Sequence, residues 1–157
     1  MKLSLLLALA SLFAVSCAAP EASSDDARRS LGTAEDRAAV ERAVLDYVEG
    51  IYEAQPERIA RSVHPELAKF GFWRESASDP YQGMPMTFEA LHDLAGSWNA
   101  DGSRADESSP KEVVVLDVLD QIAVAKLTAA WGVDYMNLAK VDGRWQIRQV
   151  IWQSLSE

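Results

Sequence analysis

Few residues in this chain could do chemistry. His64 and Asp134 are the first pair to weigh. A carboxylate beside an oriented histidine can act as a general base on a buried substrate. Asp134 stands between Val133 and Tyr135 in an apolar, strand-like run. An acid there is unfavourable unless it is paired, exposed or functional. Three readings stay open for it: it faces solvent, it accepts hydrogen bonds within the fold near Gly132, or it takes a proton from a substrate. His64 precedes Pro65 and can equally well end a helix, because a residue before proline avoids helical geometry. The preferred reading has no catalytic residue. Asp134 with His64 or a tyrosine is the enzymatic alternative.

Aromatic residues suit a wall around a flat ligand. Tyr47, Tyr52, Trp73, Trp98, Trp131 and Tyr135, with His64 and Asp134, make up the candidate pocket set. The same helical and strand spacings also suit a core. Trp145, followed by Ile147 just after a turn, reads as core. Metal binding is disfavoured: His64 and His92 lack ligand spacing, and no cysteine follows Cys17. The glycines at 83, 96, 102 and 143 are isolated, so no phosphate loop is present. Ser103, Ser108 and Ser109 lack a nucleophile-elbow pattern. No cofactor is expected. The formal net charge of -9 argues against nucleic acid, which is bound by basic patches.

The N-terminus reads as an address. Lys2 precedes an apolar run from Leu3 to Val15, shorter than the roughly 20 residues a permanent span requires. Ala14-Val15-Ser16-Cys17 resembles the lipobox of bacterial lipoproteins, although leucine usually stands where Ala14 does. On that reading residues 1–17 form a signal peptide of lipoprotein type. Cys17 would carry the lipid, and the mature protein would be anchored in the bacterial cell envelope, periplasmic or at the cell surface. Ordinary cleavage near Ala18 or Ala19 would discard Cys17 instead. Residues 18–32 are small and polar and read as a flexible tether.

One domain is expected over 33–157, with hydrophobic residues at 48%, enough for a single core. Thr33 and Asp36 approximate a capping box. Val40, Val44, Tyr47, Val48, Ile51 and Tyr52 form one helical stripe. Pro56 suits the start of a second helix, running to about Val63 and closed by His64-Pro65. A helical turn is expected at Glu66 to Lys69, a short strand at Phe70 to Arg74 and an edge strand at Met84 to Met86. Thr87 is an N-cap for a third helix bearing Phe88, Leu91, Leu94, Ala95 and Trp98. A polar loop, Asn99 to Pro110, leads to a terminal meander with strands at Val113–Leu119, Ile122–Val141 and Arg144–Gln153. The turns fall at Asp120-Gln121 and Asp142-Gly143; Asp-Gly is a strong hairpin signal. The middle run exceeds ordinary strand length, so it is expected to bend at Gly132.

This order resembles the putative lumazine-binding family within the nuclear transport factor 2-like superfamily. The resemblance rests on V-L-D-Y-V-E-G-I-Y-E from Val44, H-P-E-L-A-K from His64 and the Met86-Thr87 helix start. It continues through V-L-D-V from Val115, A-V-A-K-L from Ala123 and W-G-V-D-Y-M-N-L-A-K-V-D-G-R-W-Q-I from Trp131. It implies an α+β cone: N-terminal helices packed on the concave face of a strongly curved, mostly antiparallel sheet, with a pocket at the open end. The leading reading is a non-catalytic binder of an unknown small apolar or aromatic molecule. Some superfamily members are isomerases or dehydratases that place a carboxylate and a histidine or tyrosine in the pocket. Others pair as homodimers through the exposed sheet face.

Overall fold

The computed structural model describes residues 31–155. The expected signal peptide, Cys17 and most of the expected tether lie outside them. Leu31 and Gly32 are not tether: Leu31 bridges Leu119, and the Gly32 amide donates to the Val118 carbonyl at 2.9 Å.

Helix α1 spans Ala34–Tyr52. Thr33 and Asp36 close the capping box reciprocally, satisfying amides that a helix start leaves open. Asp36 also accepts from the Trp145 indole at 2.9 Å and pairs with Lys140. The Lys140 ammonium, with the Trp145 indole, holds the Asp36 carboxyl well below the ordinary carboxylate range. One carboxylate thus caps α1 and fastens it to the last hairpin. Helix α2, Pro56–Ser62, follows directly. Arg58 reaches back to Asp46, Glu49 and Glu53, and Arg61 meets Asp46 at 2.9 Å. Burial pushes the Asp46 carboxyl up, but Arg61, with Arg42 and Arg58, outweighs it and keeps the group ionised.

Strand β1 is Val63–Trp73 and β2 is Gln82–Met86. Here the sequence expectation is corrected. His64-Pro65 does not cap a helix, and 66–69 is not a helical turn. The segment is strand because Val63 and Ala68 to Phe72 pair parallel with the last strand, with an irregularity between Val63 and Ala68, and Lys69 to Trp73 pair antiparallel with β2. Helix α3, Phe88–Ser97, opens at Thr87, whose hydroxyl accepts from the Ala90 amide at 3.2 Å. The meander is β3 Lys111–Val118, β4 Ile122–Ala129, β5 Gly132–Val141 and β6 Arg144–Gln153. The long middle run is therefore two strands joined by the tight turn Ala130-Trp131. The bend expected at Gly132 is this turn's exit: neither Ala130 nor Trp131 has positive φ, and Gly132 just after them does.

The six strands run β2-β1-β6-β5-β4-β3 in one curved sheet. The helices cover its concave face. Val40, Val44, Val48 and Ile51 of α1 pack with Leu127, Met136, Leu138, Ile147 and Val150 from the sheet. Burying each such side chain contributes roughly 1.5–3 kcal/mol before entropy is subtracted. Among the described residues no helix is long and apolar enough to cross a membrane.

The Asp142-Gly143 turn has φ of 49° and 76°, as a two-residue hairpin requires, and sets the β5–β6 register from Val141 paired with Arg144. A Cβ added at Gly143 meets no neighbour within 4 Å, but in Gly143→Val a β-branched residue must adopt positive φ. It is expected to cost about 1–3 kcal/mol. Chemical denaturation checks this, and an unchanged midpoint would show that the backbone strain has been relieved elsewhere.

Candidate functional site

Strand β1 alternates: Leu67, Lys69 and Gly71 are buried, while Ala68, Phe70 and Phe72 face out. Two neighbouring strands bring further inward residues into the same row. Gly71 pairs with Trp152 of β6, and Trp152 with Asp134 of β5. The space a side chain would occupy at Gly71 is filled by the Trp152 indole, whose Nε1 lies 1.8 Å from where a Cβ would stand. Among the described residues that buried indole nitrogen has no hydrogen-bond partner.

Lys69 and Trp152 floor a cavity of about 610 Å³ between the sheet and the helices. Tyr47 and Ile51 of α1, Leu94 of α3 and Trp98 beyond its end form one side. Met84 and Met86 of β2, Trp73 and Trp152 form the other. Trp131 projects from the β4–β5 turn into the middle of an aromatic cluster. Its ring centroid lies 6.1 Å from Tyr47, 5.6 Å from Tyr52 and 5.5 Å from Trp98, each edge to face. Tyr52 stacks on Trp98 at 6.1 Å. Edge-to-face and offset contacts suit aromatic quadrupoles and add about 0.5–1.5 kcal/mol each beyond burial. The Tyr52 hydroxyl fixes this cluster to two loops, donating to the Pro110 carbonyl at 2.6 Å and accepting from the Ala130 amide at 2.7 Å.

A buried polar chain runs along the cavity floor. The Lys69 ammonium donates to the Tyr47 hydroxyl at 2.6 Å and sits over the Tyr47 and Trp152 rings, at 5.3 and 5.4 Å. Asp134, fully buried, accepts from the Trp131 indole at 3.3 Å on each carboxylate oxygen. Its charge and hydrogen bonding also act on Tyr47. Burial pushes the Asp134 carboxyl up, against the pull of Lys69, Trp131 and Tyr47. Burial pushes the Lys69 ammonium down, against the attraction of Asp134. Burial, then the Asp134 charge, raises the Tyr47 phenol well above its ordinary value. Tyr47 therefore stays a neutral hydroxyl between Lys69 and Asp134.

Of the residues singled out from the sequence, Tyr47, Trp73, Trp98 and Trp131 line the cavity. Tyr52 and Asp134 stand behind them and hold them in place. His64 and Tyr135 do not join the site. The His64 ring accepts from Arg148 and, at 3.1 Å, from the Glu66 amide. It therefore does not pair with Asp134. Tyr135 has the opposite strand parity to Asp134 and is 53% exposed on the outer face beside Ile151. Trp145 is buried in the core.

Sequence reasoning missed Lys69, Trp152 and Arg104. The first was hidden by the helical reading of 66–69, although the alternation of Leu67, Lys69 and Gly71 was there to be read. Arg104 is placed by Asn99, a buried side chain that donates to the Tyr52 and Ala105 carbonyls and accepts from the Arg104 and Ala105 amides. The guanidinium lies 5.7 Å from the Trp98 ring. Among the described residues no cluster of three or more His, Cys, Asp or Glu could hold a metal ion.

The architecture is shared with solved structures. An NTF2-like protein of unknown function from Silicibacter pomeroyi matches at TM-score 0.62 and 15% identity, over 80% of this chain and 100% of its own. Another from Shewanella baltica matches at TM-score 0.59 and 18% identity, over 80% and 99%. A third, from Methylobacillus flagellatus, matches at TM-score 0.59 and 17% identity, over 80% and 96%. At these identities the likeness is one of fold. No curated protein matches the chain. The family described as putative lumazine-binding matches residues 35–153, from the first turn of α1 to the last residue of β6. That span takes in every helix and strand that builds the cavity, and the chain belongs to this family, within the NTF2-like fold.

Proposed function

We propose that this domain binds a flat, largely apolar small molecule without transforming it, and that it does so outside the cytoplasm, anchored by a lipid on Cys17. The observation that carries the binding reading is the 610 Å³ cavity walled by Trp73, Trp98, Trp131 and Trp152. Its size falls within the range of small-molecule sites, and aromatic walls with a few polar groups are what such sites use. The family description points the same way. The address rests on the apolar run Leu3–Val15 and the small residues before Cys17.

The outer sheet face supports a further partner, a second copy of the chain. Phe70, Ile151 and Tyr135 lie in one cross-strand row, with Phe72 in edge contact with Phe70 at 5.3 Å. All four are more than a third exposed. Such a contiguous apolar patch marks an interaction surface.

Native mass spectrometry of the protein solubilised from its own envelope reads all three features at once. A bound small molecule, a diacylglycerol-sized increment on Cys17 and the mass of two chains are expected. A Cys17→Ser variant is expected to stay soluble after export. An unmodified N-terminus at Ala18 or Ala19 overturns the anchor, a ligand-free protein overturns the binder, and a single chain at micromolar concentration overturns the pair.

A second reading is an enzyme doing acid–base chemistry with Asp134 and Tyr47. It is favoured by one observation: a carboxylate and a phenol coupled in a water-poor site, both held toward their neutral forms. It predicts turnover that disappears with Asp134.

A further inference from the structure

Resting on the binding reading above, we infer that the cavity selects an acidic ligand: a flat aromatic body carrying an anionic group that meets the Lys69 ammonium. The chain as a whole is strongly acidic, at -9. The cavity reverses that sign. Its ionisable lining comprises Lys69 at the floor, Arg74 and Arg104 nearer solvent, and Glu75 as the one acid among them. Clefts lined by one sign of charge concentrate ligands of the other.

Lys69 is the deciding group. A lysine only 7% exposed is rare without a partner. One of its three protons goes to Tyr47, and among the described residues no second acceptor is hydrogen-bonded to it. Asp134 moderates its charge but does not line the cavity, since it stands behind Trp131 and Tyr47 and accepts the indole proton. The ammonium therefore has donors in hand on a cavity wall whose other surfaces are indole, phenol and thioether. A ligand anion would complete its hydrogen bonds, and the tryptophans would take the rings. Arg104 and Arg74 would draw the anion to the mouth.

Two probes share one aromatic frame and differ in charge: 8-anilinonaphthalene-1-sulfonate and the neutral N-phenyl-1-naphthylamine. Each is titrated into the full exported chain and followed by tryptophan quenching and probe emission. The sulfonate is expected to bind at least about tenfold more tightly. That advantage should vanish in Lys69→Met. Because Lys69→Met alone leaves Asp134 without its cation, the double variant Lys69→Met/Asp134→Leu is measured beside it, with thermal melts to show that it folds. Equal affinities in the wild type would overturn the acidic-ligand inference and leave the cavity a binder of neutral molecules. A sulfonate advantage that survives in the folded double variant would overturn Lys69 as the anion's partner. Failure of both probes to quench the tryptophans would overturn the binding reading itself.

Discussion

A Gly132→Ala variant is expected to lose roughly 3–5 kcal/mol of stability. Gly132 opens β5 with φ of 144°, a region L-residues rarely adopt. An added Cβ would lie 2.0 Å from the Gln153 carbonyl oxygen. That obstacle is backbone, at the end of β6, and cannot rotate away as a side-chain tip could. Strain at such a φ costs on the order of 1–3 kcal/mol, and forced overpacking costs a similar amount. The melting temperature should fall by about 10 °C or more. The damage should also reach the cavity. Gly132 follows the turn that carries Trp131, and Trp131 binds Asp134. A shifted tryptophan emission maximum in the folded variant is therefore expected together with the lower melt. A melt within about 1 °C of wild type would mean that the β4–β5 turn is not held as described.

Asp134→Asn is expected to cost about 1–3 kcal/mol, with a characteristic pH dependence. The carboxylate accepts the Trp131 indole on both oxygens and offsets the buried charge of Lys69. An amide offers one acceptor oxygen and no charge. The signs follow from the shifts. Asp134 has its pKa raised above 3.8 in the fold, so the native state holds that proton more tightly than the unfolded chain does. Its own ionisation therefore removes stability as pH climbs through that raised value. Lys69 has its pKa lowered below 10.5, so the unfolded chain binds that proton more tightly, and stability is regained as pH rises toward 10.5. The deficit of the variant should therefore be largest in acid, before the Asp134 ionisation has removed stability from the wild type. It should shrink as pH climbs through the raised Asp134 value, because only the wild type then loses stability, and shrink further in alkali, where a neutral lysine needs no counterion. Urea melts of both proteins across the pH range check this, and a deficit flat with pH would show that Asp134 acts only as a hydrogen-bond acceptor. If Asp134 is a general base instead, turnover should fall by a factor on the order of 10²–10⁴ while stability holds.

Much of the fold was legible because its signals are local. Thr33 and Asp36 are three residues apart, and their reciprocal bonds need only a helix start. The stripe from Val40 to Ile51 follows the helical period, and that period fixes one buried face whatever covers it. Asp142-Gly143 is a turn because of backbone geometry at two residues. Family motifs spread along the chain carried the rest of the architecture.

The site was only half legible, and the missing half depends on contacts distant in sequence. Residues 66–69 are short and mixed in composition, and the strand is set where Ala68 and Lys69 meet β6 and Lys69 meets β2. That pairing turned Lys69 inward. Strand parity alone put Asp134 and Tyr135 on opposite faces, but which face would be covered depended on where α1 came to rest. His64 was drawn to Arg148, 84 residues away, and not to Asp134. The sequence by itself determined the helices, the last hairpin and the aromatic character of the cavity, since each follows from periods and turns a few residues long. The tertiary structure alone decided that Lys69, Tyr47 and Asp134 share one buried chain. A buried charge is tolerable only where a partner meets it, and these partners come from β1, α1 and β5.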